Sequence, residues 1–197
     1  MIKYIFDGPN AVTLSGLVFT TVALYLVLLG QVQIAVVLLM WAVMLDHMDG
    51  WLARRSVNRP LEYSKIGGDL DSLTDMVSGA VAPGLIAMTV ASHSMLAAAA
   101  ALCLNVAGAI RISYFNNFGL NQTGKFYGVP MTYTVPVVAA CFMIEVFFPS
   151  ISAKVTLPLA LFAMAALHVA PFGPPPVKGI GFVLVGAYAV ATTVILF

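Results

Sequence analysis

Charge is what this chain has least of. Only 9% of its 197 residues are Asp, Glu, Lys or Arg, against roughly 25% in ordinary soluble domains. Alongside 61% hydrophobic residues, that scarcity excludes a water-soluble globule and points to a single domain, residues 1–197, made of membrane spans. Cysteine and histidine are scarce too. Cys103 and Cys141 both fall in apolar runs, so they read as small buried hydrophobes with no disulfide or redox role. His47, His93 and His168 are scattered, which leaves no His–Cys cluster for zinc. The chain shows no internal repeat and no disordered tail, and residues 1–7 are too short for a cleavable leader. The net charge of +1 carries no signal of its own, and no nucleic-acid partner is expected.

What is present in abundance is apolar sequence in span-length runs. A helix needs about 20 mostly apolar residues to cross a bilayer. Seven such runs are expected, at 11–30, 33–54, 68–91, 95–116, 129–148, 155–169 and 179–197, so the predicted fold is an all-α polytopic bundle. With the amino terminus in the cytoplasm, Lys3, Arg54, Arg55, Arg59, Lys65, Arg111, Lys125 and Lys178 fall inside and only Lys154 outside. That asymmetry fits the positive-inside rule. Two cytoplasmic loops, 55–66 and 118–128, are long enough to do more than turn. Residues 171–176, with four prolines, cannot continue a helix and break the chain before the last run.

Half of the eight acidic residues are gathered at membrane depth. Asp46 and Asp49 are three apart at the end of the second run, and Asp71 and Asp75 are four apart at the start of the third. These spacings place each pair on one helix face. A charge within a span costs at least about 2.5–3.5 kcal/mol, so such residues mark function. Carboxylate oxygens suit hard cations such as Mg²⁺ or Mn²⁺. One or two such ions would relieve the mutual repulsion and leave room for phosphate oxygens. Gly50 and Ala53 keep the neighbouring surface low, Arg54 can meet a phosphate with its fork of donors, and Gly67 and Gly68 clear space between two helices. A divalent-cation transporter is the alternative for intramembrane carboxylates, but the paired repeats and broken helices of many transporters are not evident.

Taken in order, Asp46-x-x-Asp49-Gly50-x-x-Ala53-Arg54, a spacer, and Gly67-x-x-x-Asp71-x-x-x-Asp75 resemble the signature of the CDP-alcohol phosphotransferase family. The spacer of twelve residues is longer than that family's usual eight, and the extra residues are expected to enlarge the cytoplasmic loop. The run from Ser64 through Asp71, Ser72, Ser78 and Pro83 is similar to the phosphatidylserine synthase branch. So is Arg111-Ile112-Ser113-Tyr114-Phe115-Asn116, with Tyr114 where the branch has a second Arg. Tyr127 to Thr132 is similar to its Gly-Leu-Pro-x-Pro, with Thr132 in place of the second Pro, and Pro9-Asn10-x-x-Thr13 matches the family's opening of the first span.

The resemblance implies transfer of a phosphatidyl group from CDP-diacylglycerol to L-serine with release of CMP, by a homodimer among membrane lipids. It implies that Asp46, Asp49 and Asp71 ligate the metal, with Asp75 as general base and a contact to a second ion. Asn10, Thr13, Gly50, Ala53, Arg54 and Gly67 would line the nucleotide and diphosphate site. Arg111, and less directly Lys125, would hold the acceptor. Glycerol phosphate, inositol phosphate or choline are the alternative acceptors. Ser72 and Ser78 flank Asp75 and bond either substrate or neighbouring helices. Glu145 and His168 are expected to face water at their span ends, and His47 is given no role. The small residues at 97–101 allow close packing within or between chains.

Overall fold

Each helix begins and ends where local chemistry directs. Asp7 caps α1 (Gly8–Leu28) by accepting from the Asn10 amide at 3.4 Å, with Pro9 in the first turn. A tight link through Gly30, at φ +76°, returns the chain into α2 (Val32–Arg55), and these two helices pack as an antiparallel pair. Arg54 and Arg55 close α2, where cations complement the helix dipole. Pro60 then opens α3, a single 30-residue helix from Leu61 to Val90. α4 (Met95–Phe118) is capped by Ser94, which accepts from the Ala97 amide at 3.3 Å, and stops at Gly119 with φ +65°. α5 (Met131–Phe147), α6 (Ala153–His168) and α7 (Ile180–Leu196) complete the bundle. The computed structural model describes residues 2–177 and 179–197, so Lys178 lies outside the described residues.

Seven helices and no strands among the described residues make this an all-α membrane helix bundle. Four helices, α1 to α4, are long and apolar enough to cross a membrane, and the last three are shorter apolar helices. The interior is built from Leu39, Met40, Ile86, Leu104, Leu157 and Leu161, all shielded. Outward-facing Val18, Leu102, Ile110, Val183 and Val194 are exposed, as lipid-facing side chains are. Ala97, Ala100 and Ala101 are buried within the chain, and a Cβ on Gly84 would come 3.0 Å from Ala101, so this small-residue stripe packs α4 against α3 of the same bundle.

α3 changes pitch in its middle. Pro83 lacks an N–H and crowds the carbonyl four residues before it. The turn Val77–Val81 ahead of it opens into a π turn, with the Ala82 amide reaching back to Val77. Gly79 lies in that turn, where a Cβ would sit 2.8 Å from the Met131 carbonyl. The close approach brings the start of α5 against the middle of α3.

Several expectations need correction. The third run begins at Leu61 rather than 68, so the expected loop over 55–66 shrinks to the link 56–60. Its first turns are polar (Glu62, Tyr63, Ser64, Lys65), and hydropathy does not register a helix that extends beyond the apolar zone. His168 does not face water. It is 1% exposed, with Nδ1 2.8 Å from the Val129 carbonyl and Nε2 3.0 Å from the Thr134 hydroxyl. Glu145 is half-buried and caps α6, accepting from the Ser152 hydroxyl at 3.1 Å and the Ala153 amide at 3.0 Å. Cys141 is buried as expected, but Cys103 is exposed.

Candidate active site

The last turns of α2 and the middle turns of α3 bring the aspartates together. Asp46, Asp49 and Asp71 each offer a carboxylate oxygen, and the three oxygens lie within 4.8 Å of one another. Asp75, one turn beyond Asp71, lines the same cavity but is not a member of that trio. Asp49 is the most enclosed of the three, and its carboxylate accepts from the Thr13 hydroxyl of α1, which also approaches the Pro9 carbonyl at 3.2 Å. Three hard oxygen donors converging in a partly enclosed space fit a small divalent cation, and their repulsion disfavours close approach without one.

The cavity, about 300 Å³, is bounded by α2, α3, α4, the start of α5 and the approach to α7. Opposite the aspartates stands Arg111 on α4. It is 6% exposed, its guanidinium lies 5.1 Å from the Phe115 ring and 5.3 Å from the Phe126 ring, and its Nε has no hydrogen-bond partner among the described residues. It forms no ion pair among the described residues. A buried guanidinium with an unmet donor is costly to leave that way, and it marks a place for an anion. Ser72 and Asn116 bond each other across α3 and α4 at 3.0 Å on the same wall. His47, with Nδ1 2.9 Å from the Val43 carbonyl, and Phe182 meet edge to face at 6.0 Å at the far side.

Phe126 holds its place through a braced loop. Its amide donates to Pro174 at 3.2 Å, and the Val129 amide donates to Leu167 at 3.0 Å. Gly128, at φ +70°, lies against the His168 carbonyl so closely that a Cβ would collide with it. His168 therefore anchors the loop that packs on Arg111. Nothing in the sequence marks this, because its partners are 34 and 39 residues away. Tyr114 turns from the aspartate cavity and packs on Phe118 at 4.6 Å and Tyr127 at 5.3 Å. Lys125 is exposed, contributes only backbone bonds to Asn121, and does not line the cavity.

A second cavity of about 210 Å³ lies behind the trio and shares Asp49, Gly68 and Asp71 with the first. Thr13, Ala53 and Gly67 line it, as does Asn10. Asn10 is fully buried and both ends of its amide are engaged, Nδ2 donating to the Tyr4 carbonyl at 3.1 Å and Oδ1 accepting from Arg59 at 2.7 Å. Arg54 lines the larger cavity instead. Gly50 lines neither, and a Cβ there would come 3.3 Å from the Arg54 guanidinium, so its part is to let Arg54 lie back along α2. Arg59, read in the sequence only as a basic loop residue, is a wall of the second cavity.

With that geometry in place, residues 6–171 match the family described as CDP-alcohol phosphatidyltransferase. The chain belongs to this family. Among its relatives is an archaetidylserine synthase from Methanothermobacter thermautotrophicus, 28% identical over 158 residues, which is 77% of this chain and 62% of that protein. A CDP-diacylglycerol–serine O-phosphatidyltransferase from Bacillus subtilis is 28% identical over 138 residues, 69% of this chain and 73% of its own length. One of the same description from Helicobacter pylori is 28% identical over 140 residues, 70% of this chain and 57% of its own. The chain thus matches less than two thirds of the length of the archaeal and Helicobacter relatives. The family match spans α1 to α6 and so includes both cavities' aspartates and Arg111.

Proposed function

We propose that the protein transfers the phosphatidyl group of CDP-diacylglycerol to the hydroxyl of L-serine, giving phosphatidylserine and CMP, at the cytoplasmic face of the membrane. The observation that carries the choice of acceptor is Arg111, a buried cation without an ion-pair partner among the described residues, lining one cavity with the aspartates. A free amino acid brings one carboxylate, and this wall offers one guanidinium. A phosphorylated acceptor brings more charge than Arg111 alone matches, since Arg54, the other arginine of the cavity lining, is taken by the diphosphate in this reading and Tyr114 and Lys125 do not line the cavity. A cation-transport path is also disfavoured, because a fixed positive charge facing the carboxylates opposes passage of a divalent ion.

Asp46, Asp49 and Asp71 would hold one or two Mg²⁺ or Mn²⁺ ions. When bound, such ions neutralise charge on the diphosphate and on the departing CMP. Thr13 fixes the Asp49 carboxylate through its hydroxyl. Asp75, one turn beyond Asp71 on the wall of the same cavity, accepts the proton of the serine hydroxyl as that oxygen forms its bond to the phosphatidyl phosphorus and the bond to the CMP oxygen breaks. Arg111 orients serine by its carboxylate, and Phe115 and Phe126 keep the guanidinium in place. Arg54 meets the diphosphate from the α2 side, while Thr13, Ala53 and Gly67 border the nucleoside. The same reading carries over the homodimer implied by the resemblance.

The test is CMP release from labelled CDP-diacylglycerol across a panel of acceptors, with and without EDTA, in wild type and Arg111→Ala. Serine-dependent, EDTA-sensitive release is expected. The alanine variant should lose a charge-assisted bond of roughly 1.5–3 kcal/mol. That raises the serine requirement on the order of tenfold to hundredfold, with the CDP-diacylglycerol requirement little changed. Release that prefers a phosphorylated acceptor, or that persists in metal-free protein, would overturn the proposal.

A further inference from the structure

Arg59 lies in the five-residue link 56–60, inside the twelve-residue spacer between Arg54 and Gly67. Its Nε and Nη2 grip Asp7 side-on, at 3.3 and 2.5 Å, and Nη2 also reaches the Asn10 amide oxygen at 2.7 Å and the Tyr63 carbonyl at 3.3 Å. Asp7 is itself fixed as the cap of α1. The missing side chain of Gly67 admits the assembly, for a Cβ there would come 2.9 Å from Arg59 Nη2 and would collide with the Asn10 oxygen. The starts of α1 and α3 thus hold one guanidinium that the link supplies, and its side chain is only 11% exposed. All of these bonds use Nε and Nη2. Nη1 has no protein partner among the described residues, and Arg59 lines the cavity that also holds Thr13, Asp49 and Asp71.

We propose that Arg59 is a nucleotide-binding residue, donating from Nη1 to an oxygen of the cytidine diphosphate group. The inference rests on the phosphatidyltransferase reading above for the identity of the nucleotide. Asp7 does not cancel this role. It occupies one edge of the fork and aims the other, so the donor is pre-oriented and little side-chain freedom remains to be lost on binding. Asn10 supports the guanidinium rather than the ligand, since both of its polar atoms are already engaged. The link between α2 and α3 thereby becomes a source of nucleotide affinity, adding Arg59 in the second cavity to Arg54 in the first.

Calorimetric titration of CDP onto the detergent-solubilised full chain with Mg²⁺ tests this, together with separate KM values for CDP-diacylglycerol and serine. Arg59→Ala and Arg59→Gln should each weaken CDP binding tenfold or more and raise KM for CDP-diacylglycerol in parallel, leaving KM for serine within about twofold of wild type. Arg59→Lys should recover part of the loss. Gly67→Ala, which displaces the guanidinium and keeps its charge, should weaken CDP as well. Variants that bind CDP with wild-type affinity overturn the role of Arg59 alone. Wild-type protein that binds CDP but releases no CMP when serine is supplied overturns the proposed function and leaves Arg59 standing, and wild-type protein that binds no CDP overturns both.

Discussion

Asp49 and Asp75 carry the same side chain in different surroundings. Asp49 belongs to the converging trio and is held by Thr13, whereas Asp75 lines the cavity outside the trio. Removing charge from each should separate binding from chemistry. Asp49→Asn is expected to weaken metal-dependent CDP binding together with turnover. Asp75→Asn is expected to retain CDP binding and lose turnover by about 10²–10⁴-fold, the usual contribution of a positioned general base. Calorimetry and rates on both variants decide it, and an equal loss of CDP affinity in the two would return Asp75 to the metal site. At this scale the sequence was most legible where function runs along one helix. A three- and a four-residue spacing suffice to align carboxylates, and one buried arginine among apolar residues stands out. Arg59 was illegible because its meaning depends on Asp7 and Asn10 at the start of α1 and on Gly67 in α3, which meet only in the folded chain.

The helix that organises the site is α3. It carries Asp71 and Asp75, extends in polar turns to meet Arg59, and opens at its π turn to seat α5. Apolar run length found all seven helices, since each must hide its backbone from lipid. It misplaced the start of α3 because the bilayer criterion does not register Leu61 to Ile66, where Glu62 instead bonds Lys3 at 3.2 Å and Tyr4 at 3.2 Å. The loop beside Arg111 shows a second limit. Gly128 could be read as a turn residue, but not as the contact that holds Phe126 against the guanidinium. Gly128→Ala forces a side chain into positive φ, costing about 1–2 kcal/mol, and drives its Cβ into the His168 carbonyl. The variant should unfold several degrees earlier in detergent and show a raised serine requirement with near-normal CDP binding. An unchanged melting temperature would mean that the loop is not braced there.

For the whole molecule, the distribution of charge between the two ends of the bundle supports the proposed orientation of the site. Arg54, Arg55, Arg59, Lys65 and Lys125 cluster where α2 ends, α3 begins and α4 runs out, while Lys154 lies at the opposite end beside the Ser152 cap of α6. The aspartate cavity lies toward the basic end, and under the positive-inside rule the proposed reaction takes that end as cytoplasmic, where serine would enter and CMP would leave. The lipid-linked substrate would keep its chains against the exposed apolar flank of the helices while its headgroup enters between them. This orientation is open to direct measurement. In a background with Cys103→Ala and Cys141→Ala, single cysteines at Gln122, in the loop after α4, and at Ser150, between α5 and α6, can be probed with a membrane-impermeant maleimide. In intact spheroplasts Ser150→Cys should label and Gln122→Cys should not, whereas permeabilised spheroplasts should label both. The reverse pattern would turn the catalytic cavity outward, away from the cytoplasmic serine pool, and the proposed reaction would then need a different supply of acceptor.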